Sequence, residues 1–193
     1  MSTNLSPQRR YSPQHQAMHW ITALLMFSLL PTAWVIVSMK EDTPEFLFWL
    51  TIHKSLGLLI LFITCFRLIW RIYDRPPHLP ASVSLSNRYV AHIASGILFV
   101  VMIVMPVTGY LWTTGHGYDV ELFGIWTMPE FAWKNRALGD ICAAIHKFGQ
   151  YVVYVTIGMH ILGVAYHLIF KKDGVLGRML PLHATEPEDG QLP

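Results

Sequence analysis

The sequence predicts an all-α integral membrane protein, a bundle of four transmembrane helices with both termini in the cytoplasm. First, 53% of the 193 residues are hydrophobic and only 13% are charged, about half the charged share of an ordinary soluble domain. Second, four apolar segments are long enough to cross a hydrocarbon core, which takes about 20 helical residues. Third, lysine and arginine are divided unequally between the two predicted sides of the membrane. The net charge of +2 gives no indication of nucleic-acid binding.

The four apolar segments are predicted to be helical because a backbone surrounded by lipid must satisfy its own hydrogen bonds. They cover about residues 18–39, 46–70, 89–113 and 141–170. The first segment also resembles a secretory signal, but its length and the lack of a small-residue cleavage site favour a retained helix. We therefore expect one transmembrane domain over residues 1–181 and a disordered polar tail over residues 182–193.

The side of the membrane that carries more lysine and arginine is predicted to be the cytoplasmic side. One predicted side carries nine such residues and the other carries five. Both termini should therefore face the cytoplasm of a bacterial-type inner membrane. The nine are Arg9, Arg10, Arg67, Arg71, Arg75, Arg88, Lys171, Lys172 and Arg178, and the five are Lys40, Lys54, Lys134, Arg136 and Lys147.

Histidines inside the predicted spans are the main candidates for a functional site, because ionisable residues in a membrane are costly and usually functional. His160 lies fourteen residues after His146, ~21 Å along the axis and on the same helix face. Depth therefore pairs His53 with His146 near the outer face, and His19 with His160 near the inner face. Two imidazoles from different helices are the typical axial ligands of a b haem in a bundle. The alternative for any one histidine is a hydrogen-bonded packing residue.

Two further points about this predicted site stay open. His167 is a rival inner ligand, but its distance from His146, ~31 Å along the helix, is nearly the whole bilayer, so we prefer His160. His167 is then a candidate contact for a haem propionate or a quinone. A small residue also follows each paired histidine by three or four positions, which leaves room for a flat porphyrin or serves ordinary helix packing. These small residues are Ala23, Gly57, Gly149 and Gly163.

Basic side chains near the predicted ligands are candidate anion contacts. Lys54 and Lys147 follow the two outer histidines directly. They either pair with propionates or an anionic reactant, or extend to the lipid headgroups. Arg67 lies fourteen residues after His53, on the same face at the inner level, and is a candidate propionate partner. The spacing of His15 and His19 suits zinc, but no third ligand is evident in the sequence.

These residues occur in an order that resembles the bacterial cytochrome b561 family, which is related to the cytochrome b subunits of nickel hydrogenases. The resemblance covers residues 9–181. The matching pieces are Tyr11-Ser12, His19-Trp20, Ile52-His53-Lys54-Ser55-Leu56-Gly57, Arg67-Leu68-Ile69-Trp70-Arg71, Pro76-Pro77, Ala91-His92, Pro106-Val107-Thr108-Gly109-Tyr110, His146, Gly158-Met159-His160, His167, Lys172-Asp173 and Arg178-Met179-Leu180-Pro181.

The resemblance implies four transmembrane helices, two non-covalent b haems and quinone-linked electron transfer. By position it makes His19, His53, His146 and His160 the axial ligands of the haem irons. One branch of the family oxidises superoxide at the outer haem and reduces ubiquinone near the inner one. The expected partners are therefore membrane lipids and the quinone pool.

Three functions follow from these expectations. The leading one is a di-haem b-type cytochrome in a respiratory-type chain, with superoxide:ubiquinone oxidoreductase as the candidate enzyme activity. The second is a haem-bearing membrane anchor for a separate redox subunit. The third is a haem-free metal-binding membrane protein.

The two cysteines form no CxxC or CxxCH motif, so neither an iron–sulfur cluster nor covalent haem attachment is indicated.

Overall fold

The computed structural model describes residues 10–77, 83–129 and 134–181. Four long helices dominate this part of the chain and are joined by short irregular segments. They are α1 (Pro13–Ser38), α2 (Pro44–Tyr73), α3 (Leu85–Gly115) and α4 (Arg136–Tyr166). Each of the four is long and apolar enough to cross a membrane, which confirms the predicted helical class and the four spans. The predicted disordered tail, residues 182–193, lies outside the described residues.

The helices begin several residues before the predicted apolar segments because polar caps start them. The four residues preceding the helices are Ser12, Thr43, Ser84 and Asn135, and each side chain accepts a hydrogen bond from a backbone N–H of the first turn. Such caps satisfy donors that have no partner within the helix. Proline in the first turn of α1 and α2 fits the same position, since its missing N–H is not needed there.

Successive helices pack against each other, α1 on α2, α2 on α3 and α3 on α4. We call the end of the bundle that holds the start of α1 and the end of α4 the termini end, and the opposite end the loop end. Most side chains of each span face outward, including large apolar ones such as Phe148 and Leu162, both 70% exposed. In a bilayer this surface contacts lipid, whereas in water it would be an unusually large apolar patch.

The segment after α4 packs against the start of α1. A π-helical turn (His167–Lys171) and a 3-10 helix (Leu176–Arg178) follow α4. The backbone N–H of Tyr11 donates to the carbonyl of Arg178 at 3.2 Å, and the indole of Trp20 donates to the carbonyl of Met179 at 2.8 Å. The start of α1 is thereby fixed beside the 3-10 helix.

A small antiparallel hairpin closes the loop end. Its strands are β1 (Glu121–Leu122) and β2 (Trp126–Thr127). The hydroxyl of Ser55 on α2 accepts from the N–H of Phe123 at 2.7 Å, and Ser55 is fully buried. The connection between α3 and α4 is therefore folded onto α2, two residues from His53.

Candidate functional site

The structure brings His53 and His146 together at the loop end. His53 lies on α2 and His146 on α4, and their ring centroids are 6.3 Å apart with the planes at 76°. We call these two residues the loop-end pair. Both residues are half-buried.

The imidazole of His53 is held by a threonine of α1. Nδ1 of His53 lies 2.9 Å from Oγ1 of Thr32. The same hydroxyl donates its single proton to the carbonyl of Leu29 at 2.6 Å, so it must accept from His53. Nδ1 therefore carries the proton of the neutral ring, and the lone pair of Nε2 is left for a metal or another donor.

His146 is held in the same tautomer by α3. Its Nδ1 lies 2.9 Å from the carbonyl oxygen of Met105 and 3.3 Å from the hydroxyl of Thr108. A carbonyl can only accept, so Nδ1 of His146 is a donor and Nε2 is unprotonated. Metal-binding histidines characteristically donate their other ring nitrogen in this way, which fixes the ring and raises its basicity.

A glycine of α3 makes room for the ring of His146. A Cβ atom added to Gly109 would lie 2.9 Å from Cε1 of His146, closer than real Cβ atoms approach. Any larger residue at this position would move either the ring or α3. Gly109 therefore belongs to the site.

The structure also brings His19 and His160 together, at the termini end. Their ring centroids are 6.3 Å apart and the ring planes lie at 58°. We call these two residues the termini-end pair. Within the described residues, neither ring forms a hydrogen bond to a protein group. Their environment is instead marked by charge, because Arg67 of α2 is close enough to act electrostatically on both histidines.

Arg67 and Arg71 form a cationic site beside the termini-end pair. Their guanidinium carbons lie 5.0 and 5.2 Å from the ring centroid of Phe99. Neither arginine forms a salt bridge with an acidic side chain in the part of the chain that the structure describes. Two neighbouring cations near the end of a membrane span can hold an anionic group.

The geometry of both pairs fits a haem iron between the two rings. A metal–imidazole bond of about 2 Å, plus about 1.1 Å from nitrogen to ring centroid, separates two axial imidazoles by ~6.2 Å. Both observed separations are 6.3 Å. In the described residues, no group of three or more histidine, cysteine, aspartate or glutamate side chains is placed to hold a metal ion. A haem held between the two rings of a pair would take the remaining ligands of its iron from the porphyrin.

The other predicted contacts have partners of their own. Nδ1 of His167 lies 2.6 Å from Oδ2 of Asp173, so this nitrogen is bonded to a carboxylate. The ammonium of Lys54 donates to the carbonyl of Asp119 at 3.3 Å, which links α2 to the loop after α3. The ammonium of Lys147 lies 5.2 Å from the ring centroid of Trp112.

Two of the predicted small residues serve helix packing. A Cβ atom on Gly149 would collide with Sδ of Met105, and one on Gly57 would lie 3.8 Å from Cβ of Pro106. These glycines therefore bring α2 and α4 close to α3, as the packing alternative holds. Gly163 faces open space, with no atom within 4 Å of an added Cβ.

Sequence reasoning missed the groups that orient the loop-end pair. Both threonines follow a proline inside a helix: Pro31 precedes Thr32, and Pro106 lies two residues before Thr108. Proline interrupts the helical hydrogen-bond ladder, and a threonine beside it can bond a neighbouring helix. The repeated pattern of a proline followed closely by a threonine is visible in the sequence, and it could have predicted the groups that orient the two rings.

Comparison with known proteins gives matches over nearly the whole chain. The sequence model of the family described as prokaryotic cytochrome b561 matches residues 10–182. The protein named cytochrome b561 homolog 2 of Escherichia coli (strain K12) is 27% identical over 186 residues. That alignment covers 93% of this chain and 95% of the relative.

Proposed function

Because this chain belongs to the prokaryotic cytochrome b561 family, we propose that it is a di-haem cytochrome that carries electrons between the two ends of its bundle. Membership makes it a multi-pass membrane protein of a haem-b family in electron transport. The finer proposal concerns the number of haems, their ligands and the partners. It rests on one observation: two pairs of imidazoles with the same separation of 6.3 Å.

In this proposal each pair holds one b haem. When bound, haem iron supplies one-electron oxidation and reduction without proton transfer. His53 and His146 present Nε2 in the unprotonated form, so they bind iron without first losing a proton. His19 and His160 bind the second iron. Arg67 and Arg71 pair with propionates at the termini end.

The proposed orientation places the termini end in the cytoplasm of a bacterial-type inner membrane. The proposed electron path runs from a one-electron donor at the loop end to a quinone at the termini end. Lys147 and Trp112 support a small anionic donor such as superoxide, because the indole of Trp112 neighbours both the ammonium of Lys147, at 5.2 Å, and the ring of His146, at 5.9 Å. A separate redox subunit docked at the loop end is the alternative donor.

A haem count on detergent-purified protein tests the proposal. The measurement is a reduced-minus-oxidised spectrum with a pyridine haemochrome assay. We expect two b haems per chain, and one after either His53→Ala or His160→Ala. His92→Ala is the matched control, since this histidine of α3 bonds the carbonyl of Arg88 at 2.6 Å and should leave both haems bound.

The contradicting outcomes are specific. A wild-type chain without haem, expressed with an adequate haem supply, would refute the di-haem assignment and favour a haem-free metal-binding protein. Retention of two haems in either alanine variant would refute the pairing. Co-purification of a redox subunit that reduces the haems would replace the small-molecule donor with the anchor function.

A further inference from the structure

A third histidine forms a separate polar cluster at the termini end. Nδ1 of His15, in the first turn of α1, lies 3.1 Å from Oδ2 of Asp74 and 3.1 Å from the hydroxyl of Ser12. Asp74 is the residue that ends α2. A carboxylate accepts, so Nδ1 of His15 carries the proton that faces Asp74.

The opposite nitrogen of this ring has no protein partner among the described residues. Nε2 of His15 is buried and forms no hydrogen bond there, whereas the indole of the neighbouring Trp70 acts on the carboxylate of Asp74. Trp70 lies one turn before Asp74 on α2. Buried polar atoms without a partner are unfavourable, and a native structure that contains them indicates a ligand or water at that position.

The cluster connects the membrane interior with water. The side chain of His15 is 11% exposed, whereas that of Asp74 is 35% exposed. Hydrogen bonds from Ser12 and His15 lower the pKa of Asp74, so the carboxylate stays ionised near neutral pH. His15 lies one helical turn before His19, and therefore close to the proposed inner haem.

We propose that His15 transfers protons to and from a quinone head group bound beside Trp70, with Asp74 as the residue that positions its ring. This rests on the proposed function, which supplies electrons one at a time at this end. Reduction of a quinone to a hydroquinone consumes two electrons and two protons. The doubly protonated ring gives its Nε2 proton to a quinone oxygen and keeps its Nδ1 proton on Asp74, and a proton from water returns to Nε2 before the second transfer. Hydroquinone oxidation runs the same steps in reverse.

Three other groups surround the ring of His15. Tyr11 precedes α1, and its ring centroid lies 6.0 Å from that of His15. The guanidinium of Arg178, from the 3-10 helix, lies 5.7 Å from the Tyr11 ring. Asp74, from the end of α2, is the acidic group that directly contacts the imidazole.

The test uses the full-length, haem-loaded protein and the short-chain substrate decylubiquinol. The rate of haem reduction is followed by stopped-flow absorbance from pH 5 to 9, and binding of ubiquinone-1 is measured by calorimetry. We expect His15→Gln to slow haem reduction about 100-fold while changing ubiquinone-1 binding less than about threefold, because glutamine still forms hydrogen bonds. Asp74→Asn should slow haem reduction by a smaller factor and leave ubiquinone-1 binding unchanged, since the amide oxygen still accepts from Nδ1 but no longer carries a charge that balances the proton in transit.

His116→Gln is the matched control. His116 also pairs with a carboxylate, with Nε2 3.1 Å from Oδ1 of Asp140, but at the loop end. It should keep the wild-type rate. An equal fall in both glutamine variants would overturn the assignment to this site.

The inference and the proposed function fail in different ways. A wild-type rate and pH profile in His15→Gln, with two haems bound, would overturn the inference alone, since His15 would then hold only water. A di-haem wild type that does not react with ubiquinol would overturn both the quinone step and this site.

Discussion

At the loop end, His53 and His146 each donate a hydrogen bond from Nδ1 to a neighbouring helix, to Thr32 and to the carbonyl of Met105. At the termini end, His19 and His160 stand at the same ring separation without such bonds among the described residues. The loop-end pair is therefore pre-oriented by the polypeptide. The termini-end pair is surrounded instead by the positive charge of Arg67.

This difference predicts different reduction potentials for the two proposed haems. A hydrogen bond from Nδ1 makes an imidazole a stronger donor, which favours the oxidised iron. A nearby cation favours the reduced iron, because reduction removes one positive charge. With a haem at each pair, both effects would favour electron flow from the loop end to the termini end.

The largest expected effect comes from closing the space beside His146. Gly109→Val would place a branched side chain against Cε1, so the ring cannot keep its position. We expect loss of one of the two haems, with the termini-end haem retained. Gly158→Ala is the control, since an added Cβ there meets no atom within 4 Å. Two haems in the Gly109→Val protein would show that the loop-end pair is not rigidly held.

Removing the acceptor for His53 should have an intermediate effect. Thr32→Val leaves a half-buried N–H without a partner, which costs about 1–3 kcal/mol, and it frees the ring to change tautomer. Haem should dissociate faster from the loop end, and that haem should become easier to reduce. Thr32→Ser keeps the hydroxyl and should behave as wild type. Redox titration measures the reduction potential of the loop-end haem, and transfer of haem to an apoprotein acceptor measures its rate of dissociation. An unchanged potential in Thr32→Val would count against orientation of His53 by Thr32.

The smallest expected effect is electrostatic and confined to the termini end. Arg67→Gln should lower the potential of that haem by tens of millivolts, where about 59 mV corresponds to a tenfold change for a one-electron couple. Arg67→Lys should restore most of it, because the charge is kept. A shift at the loop-end haem instead would contradict the proposed pairing of His19 with His160.

The sequence predicted the helices and the pairing of the histidines for a simple reason. Rise per residue converts position along a span into depth, so the fourteen-residue spacing from His146 to His160 was enough to match them with His53 and His19. Arg67 followed from the same spacing. These inferences need only the position of each residue along its helix axis.

The orienting groups could not be predicted in that way. Whether Nδ1 of His146 meets the carbonyl of Met105 depends on the rotation of α3 about its axis and on the approach of α4 to it. Gly149 illustrates the limit, because its spacing from His146 predicts a place beside a cofactor, while the structure packs it against Met105. The pair of His15 and Asp74 joins positions 59 residues apart and has no periodic signal.

The placement of His146 and His160 on one helix has a consequence for biosynthesis. Helices α1 and α2 leave the ribosome with one histidine of each pair, but both second histidines arrive with α4. Neither pair exists until α4 has been inserted and packed beside the earlier helices. Haem loading at both positions therefore reports on the same late step of assembly, and a chain arrested before α4 offers no complete ligand pair for haem.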